Sequence, residues 1–425
     1  MDLIINKIIL VLFCSMPVCE FINGMFLGKH VSDIYRIVLL FFILLYLFYS
    51  KNQIYKQSFQ MLGVVIFFIL LTFFQFSILH GEILVLKSDL KTIFRILLAP
   101  LYYAYFYKCL HEGDITKKTL EKILILYSFL YASLIVIPSF FNFGLATYDI
   151  QGSGFLHANE GIGFKGYFVE INSLVAILIA CMVYTGEFSL LDIKEDNLRT
   201  GIYKMIITFG LMYALIITST KTGMLATIIY LLVFLIKILK NDEIQRTIRQ
   251  IIFVVITILV IAVPLMSNSL QEQWQGFMDR ASYFYNLFNG NLLKFLTSNR
   301  STFLNETARA AFTSKYWCFF HFFGGGYFIN LHAPYDPFRR VVIEMDWYDF
   351  YFSYGIVGII VYLNYFKDSI FNFFGKNKTP ISFMLIIFIV YSIIAGHVIY
   401  NSMTATFIAI ILGYFTNSNL EENYE

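Results

Sequence analysis

A helix that crosses a bilayer needs about 20 predominantly apolar residues, and this chain supplies such stretches one after another. They run over about 3–22, 34–50, 61–79, 93–110, 123–141, 167–186, 203–219, 222–239 and 250–267. After one long polar interval they resume over about 350–366, 381–398 and 400–416. The pattern predicts an all-α integral membrane protein with about twelve transmembrane helices. Charged residues make up 14% of the chain, against about 25% in soluble domains. The 47 Phe and 30 Tyr suit lipid-facing and interfacial surfaces. Lys7 and the first apolar stretch mimic a signal peptide, but no small-residue cleavage site follows, so the stretch reads as an uncleaved helix.

Lys and Arg in the short loops set the orientation. Counting from a cytoplasmic N-terminus, the inner loops hold Lys51 and Lys56, then Lys108, Lys117, Lys118 and Lys122, then Lys194, Arg199 and Lys204. Lys237, Lys240, Arg246, Arg249, Lys367, Lys376 and Lys378 follow on the same side. The outer short loops hold only Lys29, Lys87, Lys91, Lys165 and Lys221. Both termini are therefore expected in the cytoplasm, with the long polar interval outside. The expected division is residues 1–267 for helices 1–9, 268–349 for a large extracytoplasmic loop, 350–416 for helices 10–12 and 417–425 for a cytoplasmic tail.

A net charge of +3 with no basic patch excludes nucleic acid as a partner. The five cysteines are scattered without metal or CxxC spacing, so neither a disulfide framework nor zinc is expected. Gly324-Gly325-Gly326 has neither the spacing nor the lysine of a phosphate-binding loop. No cofactor is expected.

Chemistry-bearing residues collect on the outer side. Gly166-Tyr167-Phe168 is followed by Asn172 near a helix start. Ser219-Thr220-Lys221-Thr222-Gly223 forms a turn whose lysine opens the next helix, where orphan N–H groups favour anions. The long interval holds Asn299-Arg300, Arg309, Gly324-Gly325-Gly326, His332 and Arg339-Arg340. It closes on Glu344-Met345-Asp346-Trp347-Tyr348-Asp349, with Gly355 and Gly358 beyond. In this order the motifs resemble those of the bacterial O-antigen polymerase and O-antigen ligase superfamily, which includes capsular and exopolysaccharide polymerases. The likeness covers roughly residues 150–365. Two departures stand out. Lys221 replaces the usual arginine, and Glu344-Met345-Asp346 stands where ligases carry His-Asn before the glycine at Gly355.

The resemblance implies a GT-C-like glycosyltransferase of the bacterial cytoplasmic membrane. It would join oligosaccharide repeat units carried on undecaprenyl diphosphate, beside membrane lipids, a flippase and a chain-length regulator. Direct inverting displacement is the simplest mechanism, with cations stabilising the departing diphosphate. Arg300 is the first choice for that role, because a guanidinium fork binds phosphate bidentately. Lys221 is the second, and Arg309, Arg339 and Arg340 stand behind them. Glu344, Asp346 and Asp349 are candidates for a general base or for holding acceptor hydroxyls, against the plainer alternative of carboxylates at a helix start. Asn172 and His332 are candidate sugar contacts. His397 and Asn401 read as satisfying a broken helix. The His-to-Glu departure favours a polymerase over a ligase. A flippase for the same lipid-linked oligosaccharide is the competing class, but paired halves with matching interrupted helices are not evident.

Overall fold

The computed structural model describes residues 2–49, 56–79, 83–149, 161–195, 197–240, 268–326, 343–375 and 379–416. The expected ninth helix at 250–267 lies outside the described residues. So do His332, Arg339, Arg340 and the tail.

Five helices open the chain: α1 (Asp2–Met25), α2 (Val31–Tyr49), α3 (Lys56–Leu79), α4 (Ile83–His111) and α5 (Lys117–Phe140). The start of α5 has a local cause. The Thr116 side chain accepts from the Thr119 amide at the head of α5, and Thr119 Oγ1 answers the Thr116 amide, a reciprocal cap. α4 begins ten residues before the apolar stretch that announced it. Lys87 and Lys91, expected in a loop, therefore lie on its first turns.

The all-α expectation needs one correction. Strands β1 (Ala146–Asp149) and β2 (Gly161–Phe164) form an antiparallel pair, with Ala146 opposite Phe164 and Tyr148 opposite Ile162. The pair sits on the turn at Thr218 and Ser219, for a Cβ on Gly163 would overlap the carbonyl of Thr218.

Helices α6 (Ile171–Lys194), α7 (Leu198–Ile217) and α8 (Lys221–Lys240) follow. α6 is the axis of the bundle: every residue from Ser173 to Met182 is buried. A helix apolar on all sides can only sit inside other helices or lipid. Its polar side chains are satisfied within the bundle; Thr185 Oγ1 donates to the Cys181 carbonyl at 2.8 Å and meets Thr208 Oγ1 at 2.9 Å.

Residues 268–349, read as a loop, carry four helices in their described part: α9 (Asn268–Leu287), α10 (Leu292–Leu296), α11 (Arg300–Thr313) and α12 (Trp317–Phe323). Then come α13 (Asp346–Tyr365), α14 (Lys367–Gly375), α15 (Pro380–Ile394) and α16 (Ser402–Tyr414). α15 and α16 stop short of each other, so residues 395–401 form a turn outside both helices. Asn401 caps α16 by accepting from the Met403 amide at 2.8 Å.

α13 is two helices in one. Gly355 has φ 66° and ψ −175°, a region open essentially to glycine alone. The break frees carbonyls, and the glycine run takes them up. Gly325 N–H donates to Phe352 and Gly326 N–H to Ser353, both at 2.9 Å. Gln75 Nε2 adds a bond to the Ser353 carbonyl at 2.8 Å. The run thus serves as a backbone prop for a discontinuous helix.

Among the described residues, seven helices (α1, α2, α3, α5, α6, α7 and α8) are long and apolar enough to cross a membrane, and α15 and α16 are shorter apolar helices. Ile37, Leu70, Phe94, Ile206 and Leu232 stand on the outer surface, each more than half exposed. Such a belt is stable only against a nonpolar surrounding. The chain is a membrane-embedded helical protein.

Candidate functional site

Helix direction gathers the polar residues of interest at one end of the bundle, where α6, α8, α13 and α16 begin and α7 and α15 end. Ser173 Oγ, at the head of α6, donates to the His397 carbonyl at 2.6 Å. Ion pairs at the opposite end are of another kind, with Lys237–Glu187 at 2.6 Å and Lys204–Asp192 at 2.8 Å tying the far turns of α6, α7 and α8.

Arg300 is the first residue of α11, and the chain reaches it through Ser298 and Asn299, both left-handed at φ 51° and 69°. Asn tolerates that conformation better than most side chains. The turn aims the guanidinium at Glu344, whose Oε2 accepts from Nη2 at 2.8 Å and from Nε at 3.3 Å. Among the described residues, Nη1 makes no hydrogen bond. On its other side Glu344 Oε2 faces His397 Nε2 at 3.8 Å. Three distant segments thus converge on one carboxylate: the start of α11, the approach to α13 and the turn between α15 and α16.

Both Glu344 (φ 61°) and His397 (φ 63°) hold left-handed backbones, which costs a non-glycine residue on the order of 1–3 kcal/mol. The neighbouring acids keep them there. Asp346 is buried, and its carboxylate accepts the N–H groups of His397, Val398 and Ile399 at 2.7, 2.6 and 2.9 Å. Asp349, also buried, accepts from Ile343 and Met345 at 3.1 and 3.3 Å. Gly396 completes the clasp, since a Cβ there would overlap the Glu344 carbonyl.

The charges respond to this geometry. The His397 imidazole is the main cause that holds the Glu344 carboxyl down at about 2; burial opposes it, and Arg300 assists. For His397, burial disfavours the charged ring, but Glu344, Asp346 and Glu170 together raise its pKa above the ordinary value. The signs give a pH dependence. Glu344, depressed in the fold, contributes stability above its ordinary pKa of 4.5 that is lost as pH falls through about 2. His397, raised in the fold, contributes stability that is complete below 6.5 and lost as pH rises through its folded pKa. Thermal stability in detergent should accordingly fall on the alkaline side of 6.5, and Glu344→Gln should shrink that slope to the part Asp346 and Glu170 supply. An unchanged slope in the variant would mean that the pair does not form.

The other residues singled out from sequence divide clearly. Asp346 and Asp349, expected to act on protons or sugars, spend their oxygens on backbone N–H groups and position Glu344 and His397. Arg309 follows Arg300 by nine residues, which at about 100° per residue puts it on the opposite face of α11, exposed to the surroundings. Lys221 heads α8, but its ammonium donates to the Phe295 carbonyl at 2.7 Å and lies 4.4 Å over the Phe295 ring. It braces the end of α10, the turn that delivers Arg300. Next to it, Thr222 meets Tyr391, whose side chain feels the charges of Arg300 and Asp346. Asn172 precedes Ser173 and is half-buried at the rim.

Beside the cluster runs an apolar cavity of about 860 Å³. Leu304, one turn after Arg300, Trp347, next to Asp346, and Val398, next to His397, line its near end, and Phe373, Phe374 and Leu412 line its far end. It follows α13, α15 and α16 for most of their length. Arg300, Glu344 and His397 do not themselves line the cavity; Leu304, Trp347 and Val398, close to them in the chain, do. No protein-family model matches the chain, and no curated protein matches it either.

Proposed function

We propose that the protein is a GT-C-like glycosyltransferase that polymerises undecaprenyl-diphosphate-linked repeat units on the outer face of the bacterial cytoplasmic membrane. The observation that carries this reading is the Arg300–Glu344–His397 cluster beside an 860 Å³ apolar groove lined by the neighbouring Leu304, Trp347 and Val398. The groove suits a polyprenyl chain, and the cluster suits the head of such a lipid. Arg300 uses Nε and Nη2 on one carboxylate oxygen, so Nη1 remains for a phosphate oxygen. Lys221, behind it, adds positive potential to the same corner. An activated diphosphate leaving group makes direct inverting displacement sufficient, so the protein's task is positioning and charge stabilisation.

The decisive experiment is reconstitution with lipid-diphosphate-linked repeat units from the host, read as a glycan ladder on a gel. A ladder formed without nucleotide sugar supports the polymerase. Transfer only when a finished polymer and a separate acceptor are supplied would convert the reading to a ligase. Movement of the lipid across the bilayer with neither product would mean a flippase. The groove makes its own prediction. Ile393→Trp, placed on the cavity wall, should raise KM for a full-length polyprenyl donor about tenfold, the loss of roughly two buried methylenes. A donor with a truncated lipid should be nearly unaffected; equal losses for both would sink the groove assignment.

A further inference from the structure

We propose that the hairpin of α9 and α10 is an interfacial anchor: its exposed apolar side chains insert into the leaflet at this end of the bundle and hold the turn that presents Arg300. The hairpin carries an apolar patch that the charged cluster does not use. Tyr283, Leu287, Leu292, Leu293 and Leu296 are between 49% and 63% exposed. Leu292, Leu293 and Leu296 fall within about 100° of the α10 circumference. Phe295 is turned inward instead, its ring edge-on to Tyr285 with centroids 5.8 Å apart. From Ala281 to Leu296 the chain carries a single charge, Lys294. A contiguous group of large apolar side chains with so little charge marks an interaction surface.

What covers the patch follows from α8. The Lys221 ammonium donates to the Phe295 carbonyl and lies over the Phe295 ring, so the end of α10 sits over the head of α8. Leu225, Ile228, Ile229, Leu232 and Ile236 follow Lys221 along one face of that helix, and each is half exposed or more. This stripe belongs to the lipid-facing belt. Lys221 stands at its upper end, so the patch on α10 begins where the lipid contact of α8 reaches the membrane surface. The two apolar surfaces are continuous, and the bilayer that covers one covers the other. A face of leucines with a tyrosine and one lysine is the composition of a helix lying in a membrane interface.

The anchor is coupled to the charged cluster through the backbone. Asn291 caps α10 by accepting from the Lys294 amide at 3.0 Å. At the other end the Asn299 amide donates to the Lys294 carbonyl at 2.8 Å, and the Arg300 amide to the Thr297 carbonyl at 3.1 Å. The left-handed pair Ser298 and Asn299 is therefore built onto α10. The depth of α10 in the leaflet fixes the height at which Arg300 meets Glu344.

The test is collisional quenching of the full chain in phosphatidylcholine vesicles, with or without phosphatidylcholine spin-labelled near the headgroup end of one acyl chain. A bimane is attached at Leu293→Cys in a Cys318→Ser protein, because Cys318 is exposed, and the Cys318→Ser protein labelled alone gives the background. Leu293 packs on little, so the substitution leaves the fold intact; Leu292→Cys is a second probe of the same face. Insertion by the roughly 5–10 Å typical of interfacial helices should cut the emission by about half when the spin label is present. Glu306→Cys, at an exposed charged position on α11, should keep nearly all of its emission. Quenching no stronger at Leu293 and Leu292 than at Glu306 overturns the anchor. A blue-shifted emission that ignores the spin label, with dimers on size-exclusion chromatography, would give the patch to a second copy of the chain and overturn it as well. The readout involves no glycan transfer, so it stands apart from the fate of the glycosyltransferase reading.

Discussion

Arg300→Ala is expected to lower glycan extension by about 10²–10³-fold, the loss typical of one preorganised charge-stabilising donor. The guanidinium has two of its nitrogens on Glu344, so on the proposed reading it would meet a leaving diphosphate already oriented. Its removal also takes one of two cationic partners from a carboxylate that is half out of water. Part of the defect should therefore appear as a rise in the Glu344 pKa. Arg300→Lys should recover little, because a point charge on a flexible stem cannot engage the carboxylate and a phosphate oxygen at once. The measurement is the single-turnover rate of bond formation, with thermal stability recorded in parallel. Extension at the native rate by a folded Arg300→Ala protein would remove the phosphate clamp from the mechanism.

Gly355→Val is expected to deplete folded protein rather than merely slow it. At φ 66° and ψ −175° any side chain is strained by on the order of 1–3 kcal/mol. Its Cβ would also enter the backbone of Phe322 and Phe323. The two costs fall on the same contact, where the glycine run supplies N–H groups to Phe352 and Ser353. A loss of about 3 kcal/mol or more should show as aggregated material on size-exclusion chromatography. Gly63→Ala is the control: it lies within α3 with open space around it, so the change should be neutral or slightly stabilising. Equal behaviour of the two variants would mean that the helix break is not a stability determinant.

What the chain declares in advance follows from the range of the forces involved. Spans such as α1, α3 and α5 announce themselves because bilayer thickness demands a run of apolar residues. The helices of 268–326 do not, since α9 and α11 are polar enough to pass for loop when only apolar length is counted. Arg300 was legible as a cation in a polar interval, and the family likeness pointed to it as well. The pairing of Glu344 with His397 was not, because 53 positions separate them and nothing local links a histidine in one turn to an acid in another. The clustered acids misled in a specific way. Three carboxylates near a helix start suggested proton chemistry, yet Asp346 and Asp349 are consumed by backbone N–H groups that only the folded turn presents. Gly324-Gly325-Gly326 was visible as an oddity, but its partner, the break at Gly355, lies in a separate helix.

The apolar groove is walled in part by Ile389 and Ile393, each 39% exposed, and by Phe374, 71% exposed, so it opens sideways from the bundle. A lipid substrate of the proposed kind would reach such a site by diffusion in two dimensions, and its product would depart the same way without passing through water. The relevant concentration is then a surface density. Rates should follow the mole fraction of donor in the bilayer and stay constant when vesicles of fixed composition are diluted. A growing glycan whose lipid drifts only a few molecular widths before rebinding would be lengthened repeatedly by the same molecule.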